Sequence, residues 1–288
     1  MEEDLDIRVY PQGSLGLGTL VRPISGDEEG DYDVDLVCLL KNGSGLSAQN
    51  IKQVIGKRLK ESDRYNPMLD DEGKRCWTLK YSNFHMDILP SVPKFNQRTT
   101  LMKNSTNIRL THKEDDDSYS DKFSDPKAYR EWFIEQMSTS FVNKREIIAR
   151  NRQVEIEEVE LFDIRTPLQM AIQILKRHRD IMFSGKDHKP ISVIITTLAA
   201  KSYSGETSLY DTLEGILKNM KRHINFDESG KAIICNPTIN AENFADKWEE
   251  VPEKKEAFLE WLHAAQRDII QDPLNFAKGL GYMKNHMR

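Results

Sequence analysis

Apolar positions alternate with polar ones early in the chain and recur with a helical rhythm later. Ile7–Tyr10 is a short β run closed by Pro11, and Val34–Leu40 is a strongly apolar β run closed by the turn residues Asn42-Gly43-Ser44-Gly45. Ile51, Val54, Ile55 and Leu59 recur at helical spacing and predict an amphipathic helix over 48–61. Cys76–Lys80 and Phe84–Leu89 read as a hairpin pair around Tyr81-Ser82-Asn83. Residues 96–121 are polar, contain the acidic run Glu114–Asp117 and read as a surface loop. From about Asp125 onward the pattern is helical. Thr166-Pro167 is a helix start, with Thr as N-cap and Pro in the first position, for a helix running to about Phe183 and stopping near Gly185. Further helices are predicted from Pro190 to about Tyr203 and across 253–271.

Strands first and helices afterwards describe an α+β fold. The expected organisation is a lobe with a mixed sheet and helices over 1–160 and a helical lobe over 161–288, with a ligand site in the cleft between.

Composition narrows the class. A hydrophobic share of 38% spread along the whole chain argues for a packed core rather than disorder. Net charge is −5, which weakens the idea of a nucleic-acid coat but leaves room for a local basic patch. The three cysteines, Cys38, Cys76 and Cys235, form no CxxC pair, so neither a disulfide framework nor a zinc ribbon is expected. The acidic start MEEDLDIRVY lacks an apolar targeting core, and no run approaches the ~20 residues of a membrane span. A cytoplasmic protein without membrane contact is expected.

The chemistry concentrates in three places. Gln12-Gly13-Ser14-Leu15-Gly16-Leu17-Gly18-Thr19 is glycine-rich, yet Thr19 stands where a P-loop needs lysine. Alone it is as readily an ordinary turn. In Asp33-Val34-Asp35 two carboxylates share one face of a strand, where like charges repel. A solvated strand end or a bound divalent cation accounts for them equally well. Asp87 lies in a third place, the apolar run Phe84-His85-Met86-Asp87-Ile88-Leu89, where an unpaired charge is costly. On a neighbouring strand it could join the other two, and three such carboxylates can hold two Mg²⁺. His85 shares its face, and a hydrogen-bonded strand histidine is the plainer account of it. Trp77, Trp132, Trp248, Trp261 and Tyr203 read as packing residues, and Arg177 and Arg179 as a solvated helix face.

Gly13-Ser14, Asp33-x-Asp35 and Asp87 together resemble the signature of the polymerase β-like nucleotidyltransferases. More narrowly, PQGSLGLGTLVRPISGDEEGDYDVDLVC with FHMDILPSVP, and the segment Asn236–Trp248, resemble the cGAS/DncV-like nucleotidyltransferases of bacterial anti-phage (CBASS) signalling. The resemblance implies that Asp33, Asp35 and Asp87 bind two Mg²⁺, with Mn²⁺ able to substitute. Asp87 would help deprotonate the attacking ribose hydroxyl, and Gly13 and Ser14 would contact the β- and γ-phosphates. Lys176 and Ser192 would touch the triphosphate, the latter from a first helical turn that favours anions. The implied reaction condenses ATP, and other nucleoside triphosphates, into a cyclic di- or trinucleotide with release of pyrophosphate. Linear oligoadenylate synthesis, nucleotide transfer to protein or RNA, and a non-catalytic nucleotide-binding regulator are the alternatives. HORMA-type or ubiquitin-transfer-like proteins are the implied regulators. Activation by DNA is not expected, because no Cys/His metal ribbon is present.

Overall fold

A computed structural model describes residues 6–25, 28–94, 106–159 and 164–272. The chain divides into two compact units, one formed by 1–22, 29–132 and 237–242 and the other by 23–28, 133–236 and 243–288.

The first unit is a six-stranded mixed sheet of β1 (Ile7–Pro11), β2 (Tyr32–Leu40), β3 (Trp77–Lys80), β4 (Phe84–Pro93), β5 (Ile108–Lys113) and β6 (Tyr119–Ser124). The order is β1-β2-β4-β5-β6, with β3 also paired to β4. Only β2 and β4 run parallel; the other pairs are antiparallel. A parallel pair needs a crossover. Here it carries α2 (Ala48–Lys60), which starts on Ser47, whose hydroxyl accepts from the Asn50 amide at 3.2 Å. Ile51, Ile55 and Leu59 of α2 pack on Cys38, Leu40, Trp77 and Val92, so the even-numbered side of β2 is buried beneath the helix. The opposite side carries Val37, which packs with Ile108, Leu110, Tyr10 and Leu89. Lys52 of α2 is wholly buried and donates to the carbonyls of Gly73 (2.7 Å) and Cys76 (3.0 Å), fixing the segment that enters β3. That burial lowers the Lys52 pKa.

Residues 96–121 are not one loop. Ile108–Lys113 and Tyr119–Ser124 form an antiparallel hairpin, and the acidic run supplies its turn. Asp116 accepts from the amide and hydroxyl of Ser118, and Asp117 adopts φ 63°. Ile108 and Leu110 are buried, but alternation with Arg109 and Thr111 hid them in a polar stretch. The part of the expected loop over 95–105 lies outside the described residues.

The second unit is built mainly from α4 (Ser138–Arg152), α5 (Pro167–Met182), α6 (Ser192–Ser202), α7 (Leu209–Asn219), the short α8 (Lys247–Glu250) and α9 (Glu253–Ala265), with the unit boundary falling inside α3 (Pro126–Gln136) and the glycine-loop turn α1 spanning Gly13–Gly16 in the first unit. Thr166 and Gln169 form a reciprocal capping box at the start of α5, a device that stabilises by about 1 kcal/mol. α6 is buried from Ile194 through Ala200, which explains its continuous apolar run. The helix predicted across 253–271 continues past α9 as a π-turn over Gln266–Gln271. Within the region expected to be all helical, Asn225–Phe226 pairs with Ala232–Ile233 about a turn closed at Asp227. The Asn243 side chain accepts from the amides of Ile234 and Ala245 and donates to the Ala232 carbonyl, which gives the Asn236–Trp248 segment its fixed course. Trp77, Trp248 and Trp261 are buried packing residues. Among the described residues no helix is long and apolar enough to cross a membrane.

α2 lies against Trp77 so closely that a Cβ at Gly56 would clash with the indole at Cζ2. Gly56→Ala, which by helix propensity alone should stabilise by about 1 kcal/mol, is therefore expected to destabilise by about 1–3 kcal/mol in urea unfolding.

Candidate active site

Period two places Asp33 and Asp35 on the side of β2 that bears Val37, away from α2. The parallel ladder aligns Asp33 with His85 and Asp35 with Asp87. Neighbouring strands stand ~4.8 Å apart, and i and i+2 on one strand ~6.6 Å apart. The three carboxylates thus occupy one patch of one face, each within side-chain reach of the next. Asp33 is the outermost, with its side chain 78% exposed, and Asp35 and Asp87 are half-buried.

β3 delivers a support for Asp87. Thr78 faces it across the antiparallel register, and the Thr78 hydroxyl donates to Asp87 Oδ1 at 2.5 Å. Cys76 Sγ lies 3.8 Å from the same hydroxyl. Burial, and then the nearby charge of Asp87, push the Cys76 thiol up to about 11, so it stays neutral at physiological pH. His85 sits beside the acids, with Nε2 3.4 Å from Asp31 Oδ2 and Nδ1 3.9 Å from Asp33 Oδ1. Both are ion-pair distances to carboxylates rather than hydrogen bonds, so His85 faces the acid patch.

The glycine loop closes over this patch from β1. The Gln12 amide bonds the Asp35 carbonyl at 2.9 Å, extending the β1–β2 ladder by one rung. Gly13 then turns with φ +56°, and a Cβ there would lie 2.5 Å from Asp35 Oδ2. Both the backbone angle and the approach to a carboxylate require glycine. Ser14 follows in the single helical turn α1 (Gly13–Gly16), its carbonyl holding the Thr19 amide at 2.9 Å. Arg130 of α3 donates from Nε to the Gly16 carbonyl at 2.9 Å and so anchors the loop from behind.

The carboxylate set suits Mg²⁺, which prefers hard oxygen ligands and retains several waters. Thr78 fixes the Asp87 carboxylate through Oδ1. Among the described residues no group of three or more His, Cys, Asp or Glu side chains stands close enough, as placed, to hold a metal ion. The aligned acids are an open set that a cation would draw together, and a donor set of this type fits the ion.

Lys176 and Ser192 belong to the second unit. Lys176 lies on α5 with 2% of its surface exposed, so it is no ordinary surface lysine. Ser192 opens α6, and its hydroxyl accepts from Arg179 Nη1 at 2.8 Å. Arg177 and Arg179 are 4% and 6% exposed, which corrects the reading of a solvated helix face. α5 is covered nearly all round, and charge alone does not reveal that. Thr78 and Arg130 are absent from the sequence reading, and Arg179 is there only as a surface residue. Thr78 and Arg130 depend on register and on contacts distant in the chain, whereas Arg179 stands in the same Lys176-Arg177-His178-Arg179-Asp180 run.

Thr78→Val keeps the shape of the strand residue and removes the donor. It is expected to weaken Mn²⁺ binding about tenfold or more with little change in thermal unfolding. Calorimetric titration checks this, and an unchanged affinity would contradict the supporting role of Thr78.

Residues 7–90 match the family model for the nucleotidyltransferase domain of DncV-like cyclic GMP-AMP synthases. A c-di-GMP synthase of Roseivirga ehrenbergii is 30% identical over 263 residues, covering 90% of this chain; the match spans 66% of that protein, a little under two thirds of its length. Among solved structures, the CD-NTase CdnG of Bradyrhizobium diazoefficiens in complex with GTP superposes with a TM-score of 0.70 at 20% identity, over 92% of this chain and 78% of that one. DncV of Vibrio cholerae, a cyclic AMP-GMP synthase in complex with the linear intermediate pppA(3′,5′)pG, superposes with a TM-score of 0.61 at 15% identity, over 92% and 65%. At these identities the two structures share the fold.

Proposed function

We propose that the chain is a DncV-like nucleotidyltransferase that joins two nucleoside triphosphates, GTP among them, into a cyclic dinucleotide with release of pyrophosphate. The observation that carries this reading is the alignment of Asp35 with Asp87 beneath Gly13. It is a place where metal ligands and a phosphate-approaching backbone meet. The cyclic dinucleotide made by the Roseivirga relative and the linear intermediate bound by DncV support the product class.

In the proposed step the ribose hydroxyl oxygen of one nucleotide attacks the α-phosphorus of another. An O–P bond forms, the bond from α-phosphorus to the bridging oxygen breaks, and pyrophosphate leaves. Asp87, oriented by Thr78, receives the hydroxyl proton. Two Mg²⁺, when bound by Asp33, Asp35 and Asp87, supply charge neutralisation at the attacking and leaving oxygens. Gly13 lets the backbone approach the β- and γ-phosphates, and Ser14 offers them its hydroxyl. Lys176 supplies countercharge and Ser192 a donor to the triphosphate. No covalent enzyme intermediate is needed, because positioning and charge compensation suffice for phosphoryl transfer. A second round within the linear intermediate closes the ring. In the cell this activity would serve anti-phage signalling.

Incubation with labelled GTP, ATP, CTP and UTP and Mg²⁺ or Mn²⁺, followed by phosphatase, should leave a protected product. Its mass should be that of a cyclic dinucleotide lacking a terminal triphosphate. Asp35→Asn should lower its yield by at least about a hundredfold. Absence of protected product with every nucleotide would overturn the synthase reading, and a ladder of linear products would redirect it.

A further inference from the structure

Near the C-terminal end of α5, Arg179 and Asp180 form an ion pair removed from water, their side chains 7% and 1% exposed. Arg179 Nε and Nη2 donate to Asp180 Oδ1 at 3.0 and 2.8 Å. Lys189 Nζ lies 3.4 Å from the same oxygen. The remaining arm reaches across to the start of α6, where Nη1 donates to the Pro190 carbonyl at 3.0 Å and to Ser192 Oγ at 2.8 Å. One guanidinium therefore ties α5 to the backbone and to the first side chain of α6.

The direction of the last bond matters. A guanidinium has donors and no acceptor. Ser192 Oγ must accept from it, and the hydroxyl hydrogen of Ser192 must point elsewhere. Among the described residues the structure shows no acceptor for that hydrogen, and Ser192 is partly exposed. Ile191, at the N-cap position of α6, gives the first-turn amides no side-chain partner. The start of α6 thus presents the Ser192 hydroxyl hydrogen and the first-turn amides as donors, with one Ser192 lone pair taken by Arg179.

We propose that Arg179 is a positioning residue that makes Ser192 a dedicated hydrogen-bond donor to the triphosphate. The inference rests on the reading of Ser192 as a phosphate contact. A free serine hydroxyl rotates and serves as donor or acceptor. A hydroxyl that already accepts a charge-assisted bond has its hydrogen turned away from the cation and is more polarised as a donor. Arg179 is buried with Nε and Nη2 on Asp180 and Nη1 on Pro190 and Ser192, so it acts through Ser192 and not as a phosphate ligand in its own right.

Arg179→Lys keeps the positive charge beside Asp180 but lacks the fork that reaches Pro190 and Ser192 together. Calorimetry with non-hydrolysable GTP and ATP analogues in Mg²⁺ would compare wild type, Arg179→Lys, Ser192→Ala and the double variant. The corresponding monophosphates serve as controls. Each single variant should weaken triphosphate binding about three- to tenfold, the double variant no more than either single, and monophosphate binding should hold. Should Arg179→Lys fold poorly, Arg179→Gln with Asp180→Asn removes the buried pair as a unit and should show the same selective loss. Full additivity in the double variant, or equal loss for mono- and triphosphate, would overturn the proposal. So would an Arg179→Lys protein that binds like wild type while Ser192→Ala is impaired. A Ser192→Ala protein with unchanged affinity would overturn the phosphate role of Ser192 itself, and this inference with it.

Discussion

The parallel pairing of β2 with β4 is the constraint on which the candidate site depends. Its register sets Asp35 opposite Asp87 and Asp33 opposite His85. A slip of one residue would turn Asp87 toward α2 and put Ile88 on the acid face. What forbids the slip is the core on the other side, where Cys38 and Leu40 of β2 and Ile88 and Val92 of β4 pack around Ile51, Ile55, Leu59 and Trp77. Apolar burial on one face thereby aligns charge on the other. The crossover that a parallel pair requires does further work of the same kind. It contributes α2 to the core and β3 to the edge of β4, and β3 brings the Thr78 hydroxyl to Asp87.

Each unit keeps polar groups where folding alone would not put them. Like-charged carboxylates on one strand face repel, and Asp is a poor strand former. Gly13 in a left-handed conformation lies over Asp35. In the second unit Arg179 and Asp180 are buried as a pair, an arrangement that an apolar replacement of equal volume could match in stability. Such departures from the stability optimum concentrate at sites of function. Here they coincide with the residues expected to meet phosphate and metal.

Much of this was legible in the sequence, and what was not has physical causes. Val34–Leu40 and the helical spacing of Ile51, Val54, Ile55 and Leu59 are long, strongly patterned segments, and they stand where expected. The Thr166-Pro167 helix start carries its own local signal and is capped as read. Local spacing also exposed Asp33 and Asp35 as a same-face pair. It could not show that Asp87 lies across from Asp35, because register is a long-range property of the packed sheet. The hairpin of Ile108–Lys113 and Tyr119–Ser124 was lost in a polar stretch, since its buried residues alternate with charged ones and its turn is a run of acids. The burial of Lys176, Arg177 and Arg179 was equally invisible. Residue type predicts exposure for such side chains, and only the surrounding helices reverse it.

The central claim is that Asp33, Asp35 and Asp87 form one metal-holding triphosphate site closed by the Gly13 loop. Its most direct test is crystallography with Mn²⁺ and a non-hydrolysable nucleoside triphosphate analogue, with anomalous scattering locating the metal. The account predicts two manganese peaks ~3.5–4 Å apart among the three carboxylates, with the β- and γ-phosphates against Gly13 and Ser14. Manganese bound elsewhere on the chain, or a triphosphate seated away from these acids, would contradict it.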